Sequence, residues 1–276
     1  MRMLTVIVIS DIMKRVTHVK TPGRVEGNIA PVFGSLLFRK NNDSRFATVG
    51  LGFGMFPEGV DSDIFTNYLR LRKNVYVDQT GMLPRDGDYP DGMEFDEDDE
   101  RSSAVVILEN RGMGQAAVIA CMRAIYRDKG GPLCIEESLG FSAPKGSSEA
   151  SRYILVEEQG ERKLSFRDRM MVNQKLFDAM VAIFNHKKLS PVYGLVELPV
   201  ERALSRSGAP PTRLDTSGNI FVDKFGGTEH VGVIIDIPEM SRAMTQRLGG
   251  GALQQALLEP GQVQFWGNIR HGAAAL

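Results

Sequence analysis

The sequence predicts an α/β fold in which a mixed central sheet is flanked by helices, with an extension at each end of the chain. Three observations support this prediction. Apolar, strand-like runs follow one another between residues 103 and 156, one amphipathic helix precedes them, and a longer amphipathic helix follows them. Consecutive strands predict hairpins early in the domain, and the later strand–helix–strand order predicts a crossover.

Composition argues against several functional classes. The chain has 276 residues, a net charge of −1 and 42% hydrophobic residues, which gives no global sign of nucleic-acid or membrane binding. The apolar run at 4–9, a candidate strand, is too short for the core of a signal peptide, and no run has the length of a transmembrane helix. Cys121 and Cys134 offer neither a disulfide framework nor a metal-binding spacing, so we expect a reduced, cytoplasmic protein without a bound metal.

We divide the chain into three parts. We assign residues 1–60 to an N-terminal extension, residues 61–240 to one domain, and residues 241–276 to a C-terminal extension. Gly50 and Gly52 follow an apolar run, but no helix comes after them. A dinucleotide-binding turn needs a strand, a turn and a helix in that order, so we predict that this glycine segment is a loop.

The first helix of the domain is predicted to run from about Ile64 to Val77, after acidic and serine residues that suit its start. Arg72 and Tyr76 lie one turn apart near its end. A basic helix end that complements the helix dipole would also account for this arginine.

The predicted strands follow in order. The nearly continuous apolar run 103–108 is typical of a central strand, and residues 110–112 suit a hairpin turn before a second strand at 116–125. Residues 136–148 are predicted to be a loop, and 153–156 a short strand.

The second half of the domain has the clearest helix. Residues 165–168 form a capping-box pattern that opens a helix ending near Lys188. A strand at 191–198, a short helix at 199–206 and a strand at 229–237 follow, and residues 238–248 are a candidate helix.

Two arginines lie within predicted strands. Strand alternation puts Arg152 on one face with Ile154 and Val156, and Arg123 lies inside the apolar run that forms the strand before it. An arginine on an apolar face needs a carboxylate partner, because an unpaired buried charge is very costly. The densest supply of carboxylates is the segment 94–100. The sequence therefore predicts either one polar site within the sheet or ordinary ion pairs that pin the strands.

Several motifs, taken in order, resemble the N-acyl-homoserine-lactone (autoinducer) synthases, whose fold is like that of the GCN5-related N-acetyltransferases. The motifs are an arginine followed four residues later by an aromatic residue (Arg72, Tyr76), an acidic stretch (Glu94, Asp96, Asp99), an arginine late in a strand (Arg123), and a Glu-x-Ser-Arg-aromatic segment (Glu149, Ser151, Arg152, Tyr153). Residues 200–208 and 230–237 also resemble the family, so the match covers roughly residues 64–240. One position departs from the family: Met82 stands where such synthases usually have a tryptophan.

The resemblance implies acyl transfer from an acyl carrier protein thioester to the amine of S-adenosylmethionine. The carboxylate of that substrate then closes the lactone and expels methylthioadenosine, with no metal or other cofactor. Glu149 is the implied base, acting through a water. Asp96 and Asp99 would meet the positive parts of the acceptor.

The remaining residues have supporting roles in this interpretation. Arg72 would pair the acceptor's carboxylate or orient the acids, and Tyr76 and Met82 would line the acceptor site. Arg123 and Arg152 would hold the acids and strands. Two acids beside an uncharged acceptor would be left unpaired, which favours S-adenosylmethionine over a neutral amino acid.

Carrier proteins are acidic, so a basic surface should receive them. Arg162, Lys163 and Arg167 form the candidate surface, although a solvated helix face would have the same composition. Two other functions stay open. One is a carrier-protein-dependent N-acyl amino acid synthase, and the other is a non-catalytic relative that kept the fold.

Overall fold

The structure is a computed structural model of the chain. It describes residues 34–41, 45–53, 62–112, 115–127, 131–156, 158–159, 162–207, 211–214, 221–222, 229–236 and 239. The candidate strand at 4–9 lies outside these residues, as does the candidate helix at 238–248 apart from residue 239.

The described strands form one large mixed sheet and one small hairpin. Those of the sheet are β1 (Gly34–Asn41), β2 (Phe46–Phe53), β3 (Ser102–Gly112), β4 (Gln115–Tyr126), β5 (Ser148–Leu155), β8 (Val192–Glu197), β9 (Thr212–Arg213), β10 (Phe221–Val222) and β11 (Glu229–Ile235), and the hairpin pairs β6 (Glu158–Gln159) with β7 (Arg162–Lys163). The sheet order is β1-β2-β3-β4-β5-β8-β11-β10, with β9 also paired to β11. The β5–β8 pair is parallel, whereas the other recorded pairs are antiparallel. The predicted mixed sheet is therefore confirmed.

In the described part of the chain, four α-helices flank this sheet: α1 (Ser62–Lys73), α2 (Cys134–Leu139), α3 (Phe166–Lys187) and α4 (Leu198–Ser207). A π-helical turn, Asn74–Gln79, continues α1. The predicted capping box of α3 is present: the Ser165 hydroxyl accepts a hydrogen bond from the Asp168 N–H at 3.1 Å. The helix ends at Lys188, whose φ of 55° cannot continue a right-handed helix. None of the described helices is long and apolar enough to cross a membrane.

The two faces of the sheet bury different helices. On one face, α3 and α4 contribute Val172, Leu176, Met180, Val200 and Leu204 to a core shared with β2–β5, β8 and β11. On the other face, α1 packs Phe65 and Tyr68 against Val106, Cys121 and Ile154. A separate apolar cluster on α2, which includes Ile135, packs against Ile125 and Tyr193. The face of α1 and α2 thus carries two apolar clusters with a seam between them.

Two predictions are corrected by these elements. The glycine segment is not a loop, because Gly50 pairs with Phe38 on one side and Val105 on the other within β2. Residues 34–41 and 46–53 therefore pair within the main sheet, although the sequence analysis assigns them to the N-terminal extension. The predicted loop at 136–148 is wrong at its ends, where it contains most of α2 and the first residue of β5.

Candidate active site

A bulge in β5 organises the polar residues of the seam. Cys121 of β4 pairs with Ile154, but Arg123 pairs with Ser151, so β5 has one extra residue between these two positions. Arg152 occupies this bulge with a φ of 51°, in the left-handed region that non-glycine residues rarely adopt. The bulge lets two consecutive residues, Ser151 and Arg152, take part in one set of polar contacts. The Ser151 hydroxyl accepts from Arg123 Nε at 3.0 Å.

Arg72, at the end of α1, is buried and fully engaged. Its Nη1 and Nη2 donate to the two carboxylate oxygens of Asp99 at 2.6 and 3.1 Å, and its Nε donates to Glu94. Nη1 also donates to the Tyr68 hydroxyl at 3.2 Å. The two-pronged contact with Asp99 is the geometry in which an arginine binds a carboxylate most strongly. These contacts leave Arg72 inside the protein, away from any carboxylate of a substrate.

Arg123 and Arg152 complete the set of contacts from the sheet. Arg123 Nη1 donates to Asp96 at 2.6 Å and to Asp99 at 2.9 Å. Arg152 Nη2 donates to Glu94 at 2.8 Å and to Asp96 at 2.9 Å. The guanidinium of Arg152 also lies over the Tyr76 ring, 5.0 Å from its centroid.

We call these six residues the arginine–carboxylate cluster: Arg72, Arg123, Arg152, Glu94, Asp96 and Asp99. Three positive and three negative side chains balance one another, and Arg152 has the carboxylate partners that its place on an apolar face requires. The cluster sits at the seam, because Arg123 lies on β4 between Cys121 of one apolar cluster and Ile125 of the other. In this cluster Asp96 is the open member, with 26% of its side chain exposed, whereas the Asp99 side chain is sealed.

The arginines control the charge of the three carboxyl groups. Burial alone would raise the pKa of Glu94, but Arg152 and Arg72 outweigh burial and lower it to about 2. Burial likewise opposes Arg123 and Arg152 at Asp96, and the arginines hold the pKa of Asp96 below its ordinary value. Burial, with the neighbouring Asp96, raises the pKa of Asp99 even though Arg72 opposes it. The guanidinium donors around Asp99 still identify it as a carboxylate at neutral pH.

The predicted roles of the acids change with this geometry. Asp99 has no exposed surface, and its carboxylate is bound by Arg72 and Arg123. Asp96 keeps an exposed edge that a ligand could reach. Because the cluster is balanced internally, its acids do not require a positive acceptor. The charge argument for S-adenosylmethionine made from the sequence therefore loses its basis.

Tyr76 and Met82 lie beside the cluster. The hydroxyl of buried Tyr76 donates to the Tyr153 carbonyl at 3.1 Å, which ties the π-helical turn to the bulge. Met82 is half-buried and packs against the same apolar cluster as Tyr76. Single π-helical turns inside α-helices are frequent at functional sites, which agrees with this position.

Glu149 lies two residues before Ser151 on β5 and is completely buried. Its Oε2 accepts a hydrogen bond from the Ile135 N–H of α2 at 2.9 Å. Glu149 is also where the sheet changes, because β5 and β8 pair at Ser148–Val192 and Glu149–Tyr193 and their ladder continues no further. The pairing of these two parallel strands thus ends at the residue that the family resemblance implies as a base.

The candidate docking residues lie away from this site in the chain, around the start of α3. Lys163 and Arg167 are exposed, and Arg162 belongs to β7, although its side chain is outside the described part of the chain. Phe166 lies between these basic residues with 72% of its surface exposed, and the Arg169 guanidinium is 5.9 Å from its ring centroid.

Sequence reasoning did not assign three residues of the site. Glu94 belongs to the acidic motif but receives no role from it, although its carboxylate accepts hydrogen bonds from both Arg72 and Arg152. Ser151 and Ile135 also went unassigned. The motif and the burial pattern could have indicated Glu94, but the Ile135 N–H is a backbone group that no side-chain pattern reveals.

Comparisons with known proteins identify the family and the fold of the chain. A family profile described as autoinducer synthase matches residues 58–224, more than half of the chain. The AHL synthase LasI aligns with a TM-score of 0.54 at 20% identity, covering 73% of this chain and 94% of LasI. TofI, solved in a ternary complex with an inhibitor and MTA, aligns with a TM-score of 0.52 at 20% identity over 71% of this chain and 95% of TofI.

A third structure is BjaI, described as a CoA-dependent acyl-homoserine lactone synthase and solved with SAM and isopentyl-CoA. It aligns with a TM-score of 0.50 at 19% identity over 68% of this chain and 82% of BjaI. At these identities the structures establish a shared fold, which confirms the expected fold class. A comparison with curated protein sequences finds no significant match. The family profile decides membership: this chain belongs to the autoinducer synthases.

Proposed function

We propose that the protein transfers an acyl group from an acyl carrier protein thioester to the amine of S-adenosylmethionine and releases an N-acyl-homoserine lactone. Family membership supports this reaction, and one observation carries the mechanism: buried Glu149 lies where β5 and β8 separate, next to the arginine–carboxylate cluster. A base, an opening in the sheet and an ordered polar wall are thereby brought together.

The separation of β5 and β8 supports a position for the acyl donor. Beyond Glu149 and Tyr193 the two strands no longer pair with each other. An extended thioester arm can lie between diverging strands and use their backbone groups in place of a neighbouring strand. Backbone N–H groups there would also stabilise the oxyanion of the tetrahedral intermediate.

Glu149 is the proposed general base. The α-amine of an amino acid has a pKa of about 8, so it needs only a modest base at neutral pH. Glu149 takes the amine proton through a water as the nitrogen attacks the thioester carbonyl. The C–S bond then breaks, and the carrier thiol leaves with a proton. The acceptor's carboxylate oxygen next attacks its own side chain next to the sulfonium, closes the lactone and expels methylthioadenosine.

The acceptor site is proposed around the exposed edge of Asp96, with Tyr76 and Met82 beside it. Asp96 is the member of the cluster with the most exposed side chain, and its pKa lies below its ordinary value. An ionised carboxylate there suits a sulfonium or an ammonium group. Arg72, Arg123 and Asp99 are positioning residues, because they are buried and hold Asp96 from behind.

The docking surface proposed for the carrier protein comprises Lys163, Phe166 and Arg167, together with Arg162. Basic residues around an exposed phenylalanine suit an acidic partner that also buries an apolar contact. A CoA thioester is the alternative donor, since BjaI is described as CoA-dependent. An N-acyl amino acid synthase is the alternative reaction. It is favoured by Met82 and by the internal charge balance of the cluster, which demands no extra positive charge on the acceptor.

Product analysis separates these functions. Purified protein receives one acyl chain on a carrier protein or on CoA, with either S-adenosylmethionine or a pool of amino acids as acceptor. We expect lactone and methylthioadenosine with the carrier-protein donor, detected by mass spectrometry. Acyl amino acids without methylthioadenosine would support the alternative reaction. No release of carrier or CoA thiol under any condition would identify a non-catalytic relative.

A further inference from the structure

A second set of buried polar contacts begins directly after the acid loop, residues 94–100. Arg101 donates from Nε and Nη2 to Asp98 Oδ1 at 2.8 and 2.6 Å. Both side chains are almost entirely buried, so water competes little with the hydrogen bonds between them. It belongs to neither the arginine–carboxylate cluster nor the docking surface, and the proposed mechanism does not yet use it.

The same pair holds the chain that leads into α2. Arg101 Nη1 donates to the Gly131 carbonyl at 2.8 Å, and Nη2 donates to the Pro132 carbonyl at 2.6 Å. The remaining oxygen of Asp98 accepts the thiol hydrogen of Cys134 at 2.8 Å. We call residues 131–134 the clamped segment, because three of its four residues are attached to one pair of side chains.

The clamped segment sets the position of a backbone group that touches Glu149. Leu133 precedes the first residue of α2 and has no side-chain acceptor for the free N–H groups of the first turn. Glu149 of β5 accepts one of these, the Ile135 N–H, one residue beyond the clamped segment. Within α2, Glu136 accepts the Leu133 N–H of the clamped segment at 2.6 Å and the Ala143 N–H, which lies beyond the end of the helix, at 2.8 Å. The Ile135 N–H is therefore fixed from both directions.

We propose that Arg101 is a positioning residue for the acyl transfer. By attaching the clamped segment to the acid loop, Arg101 holds the Ile135 N–H against Glu149 and so fixes the base relative to Asp96. The acid loop also carries Asp96. One loop therefore sets the positions of both the acceptor contact and the base. This inference rests on the proposed role of Glu149. A displacement of about 1 Å in such a group can lower a rate by as much as about a hundredfold.

The test is Arg101→Lys, which keeps a positive charge beside Asp98 but cannot reach Asp98, Gly131 and Pro132 at once. We expect kcat at pH 7 to fall about tenfold, with the KM for the acceptor within about twofold of wild type. Near pH 9.5 the α-amine, with a pKa of about 8, is already neutral and needs the base less. The deficit should therefore shrink there, whereas a defect in folding alone would lower kcat by the same factor at both pH values.

Arg213→Lys is the matched control. Arg213 also makes a two-pronged contact with one carboxylate, that of Glu201, but lies on β9 and is exposed. This variant should behave as wild type. An Arg101→Lys enzyme with wild-type kcat, or with an equal deficit at both pH values, would overturn the inference. If Arg101→Lys fails to fold, Cys134→Ala removes the thiol contact with Asp98 and should show a deficit of about threefold with the same pH trend. Wild-type kinetics in that variant would likewise overturn it.

Glu149→Gln separates this inference from the function on which it rests. If Glu149→Gln loses activity in the pH-dependent way and Arg101→Lys does not, only the positioning role fails. If Glu149→Gln keeps wild-type activity, the assignment of the base fails and the positioning role with it. If the wild-type protein releases no donor thiol, the proposed function itself fails.

Discussion

Arg152 and Glu149 lie three residues apart on the same strand and are held in opposite ways. Arg152 contacts the carboxylates of Glu94 and Asp96 and the ring of Tyr76. Glu149 accepts from a backbone N–H of α2. The contacts of Arg152 fix the geometry of the arginine–carboxylate cluster, whereas the contact of Glu149 places the proposed base against α2. The comparison separates the end of β5 that orders the cluster from the end that carries the proposed base.

The largest expected effect comes from breaking the fixed end. Arg72→Met should lower the free energy of unfolding by about 3–5 kcal/mol, because it leaves Asp99 and Glu94 short of a buried partner. Urea unfolding at neutral pH measures this difference. Arg213→Met removes an exposed arginine with a similar two-pronged contact, and it should lower the free energy of unfolding far less, because water screens an exposed ion pair. Equal effects in the two variants would show that burial of the cluster adds nothing.

The pH dependence of stability tests the charge of Glu94. Burial raises its pKa, but Arg152 and Arg72 outweigh burial and lower it from 4.5 to about 2. Ionised Glu94 therefore stabilises the fold above pH 4.5, and this contribution is lost as the pH falls through about 2. The loss should approach about 1.4 kcal/mol per pH unit between these values. Asp99, whose pKa is raised, contributes with the opposite sign.

The matched variant for this measurement is Glu94→Gln, which cannot titrate. Its free energy of unfolding should be lower than that of wild type at pH 6, and the gap should narrow by roughly 1.4 kcal/mol by pH 3.5. Urea unfolding at these two pH values supplies the comparison. A constant gap would mean that Glu94 is not ionised in the folded protein.

Glu149→Gln tests the end of β5 that carries the proposed base. Glutamine keeps an oxygen that can accept the Ile135 N–H, so the melting temperature should change little. Turnover at pH 7 should fall by about a hundredfold, as expected for the loss of a general base. Steady-state kinetics with the preferred donor and acceptor measure the effect. Activity within about twofold of wild type would exclude this role.

The sequence predicted the elements whose signals are local. The capping box at Ser165 and the strong periodicity after it identified α3, and the continuous apolar runs identified β3 and β4. Strand alternation also put Arg152 on the face where it meets its carboxylates. In each case the deciding residues lie within one element.

The elements that were missed depend on distant partners. Strand β2 contains Gly50 and Gly52, which disfavour a strand locally, but β1 and β3 pair with it on both sides. Helix α2 begins after Leu133, which cannot cap it, and carboxylates of Glu136 and Glu149 hold its first N–H groups instead. Such contacts form only in the folded chain, so no local sequence pattern predicts them.

The pairing within the cluster was equally hidden from the sequence. The acid loop offers several carboxylates, and their spacing alone does not decide which arginine each one meets. The bulge at Arg152 decides this pairing, because its extra residue brings both Ser151 and Arg152 to the seam. The charge balance that follows removed the argument for a positive acceptor. The charge balance of the cluster therefore follows only from its three-dimensional structure.

A smaller effect is expected at the proposed docking surface. This surface is exposed to solvent, whereas the arginine–carboxylate cluster is buried. Reversing Arg162, Lys163 and Arg167 to glutamate should raise the KM for the acyl carrier protein about tenfold and weaken its dependence on salt. A CoA thioester of the same acyl chain should be affected much less. Arg202→Glu on α4, also an exposed site, is the control. An unchanged salt dependence would place the docking surface elsewhere.

The smallest expected effect concerns Met82, where the chain departs from the usual residue of its family. Met82 is half-buried against the apolar cluster that holds Tyr76, and we have proposed that both line the acceptor site. Met82→Trp would restore a flat aromatic surface, which can bind a cation with about 1 kcal/mol. If the acceptor is S-adenosylmethionine, its KM should fall about fivefold, whereas the KM for a neutral amino acid should not improve. Met82→Leu, which adds no aromatic face, should leave both values near those of wild type. Improvement with both acceptors would indicate a general packing effect, and improvement with the neutral amino acid alone would favour the N-acyl amino acid reaction.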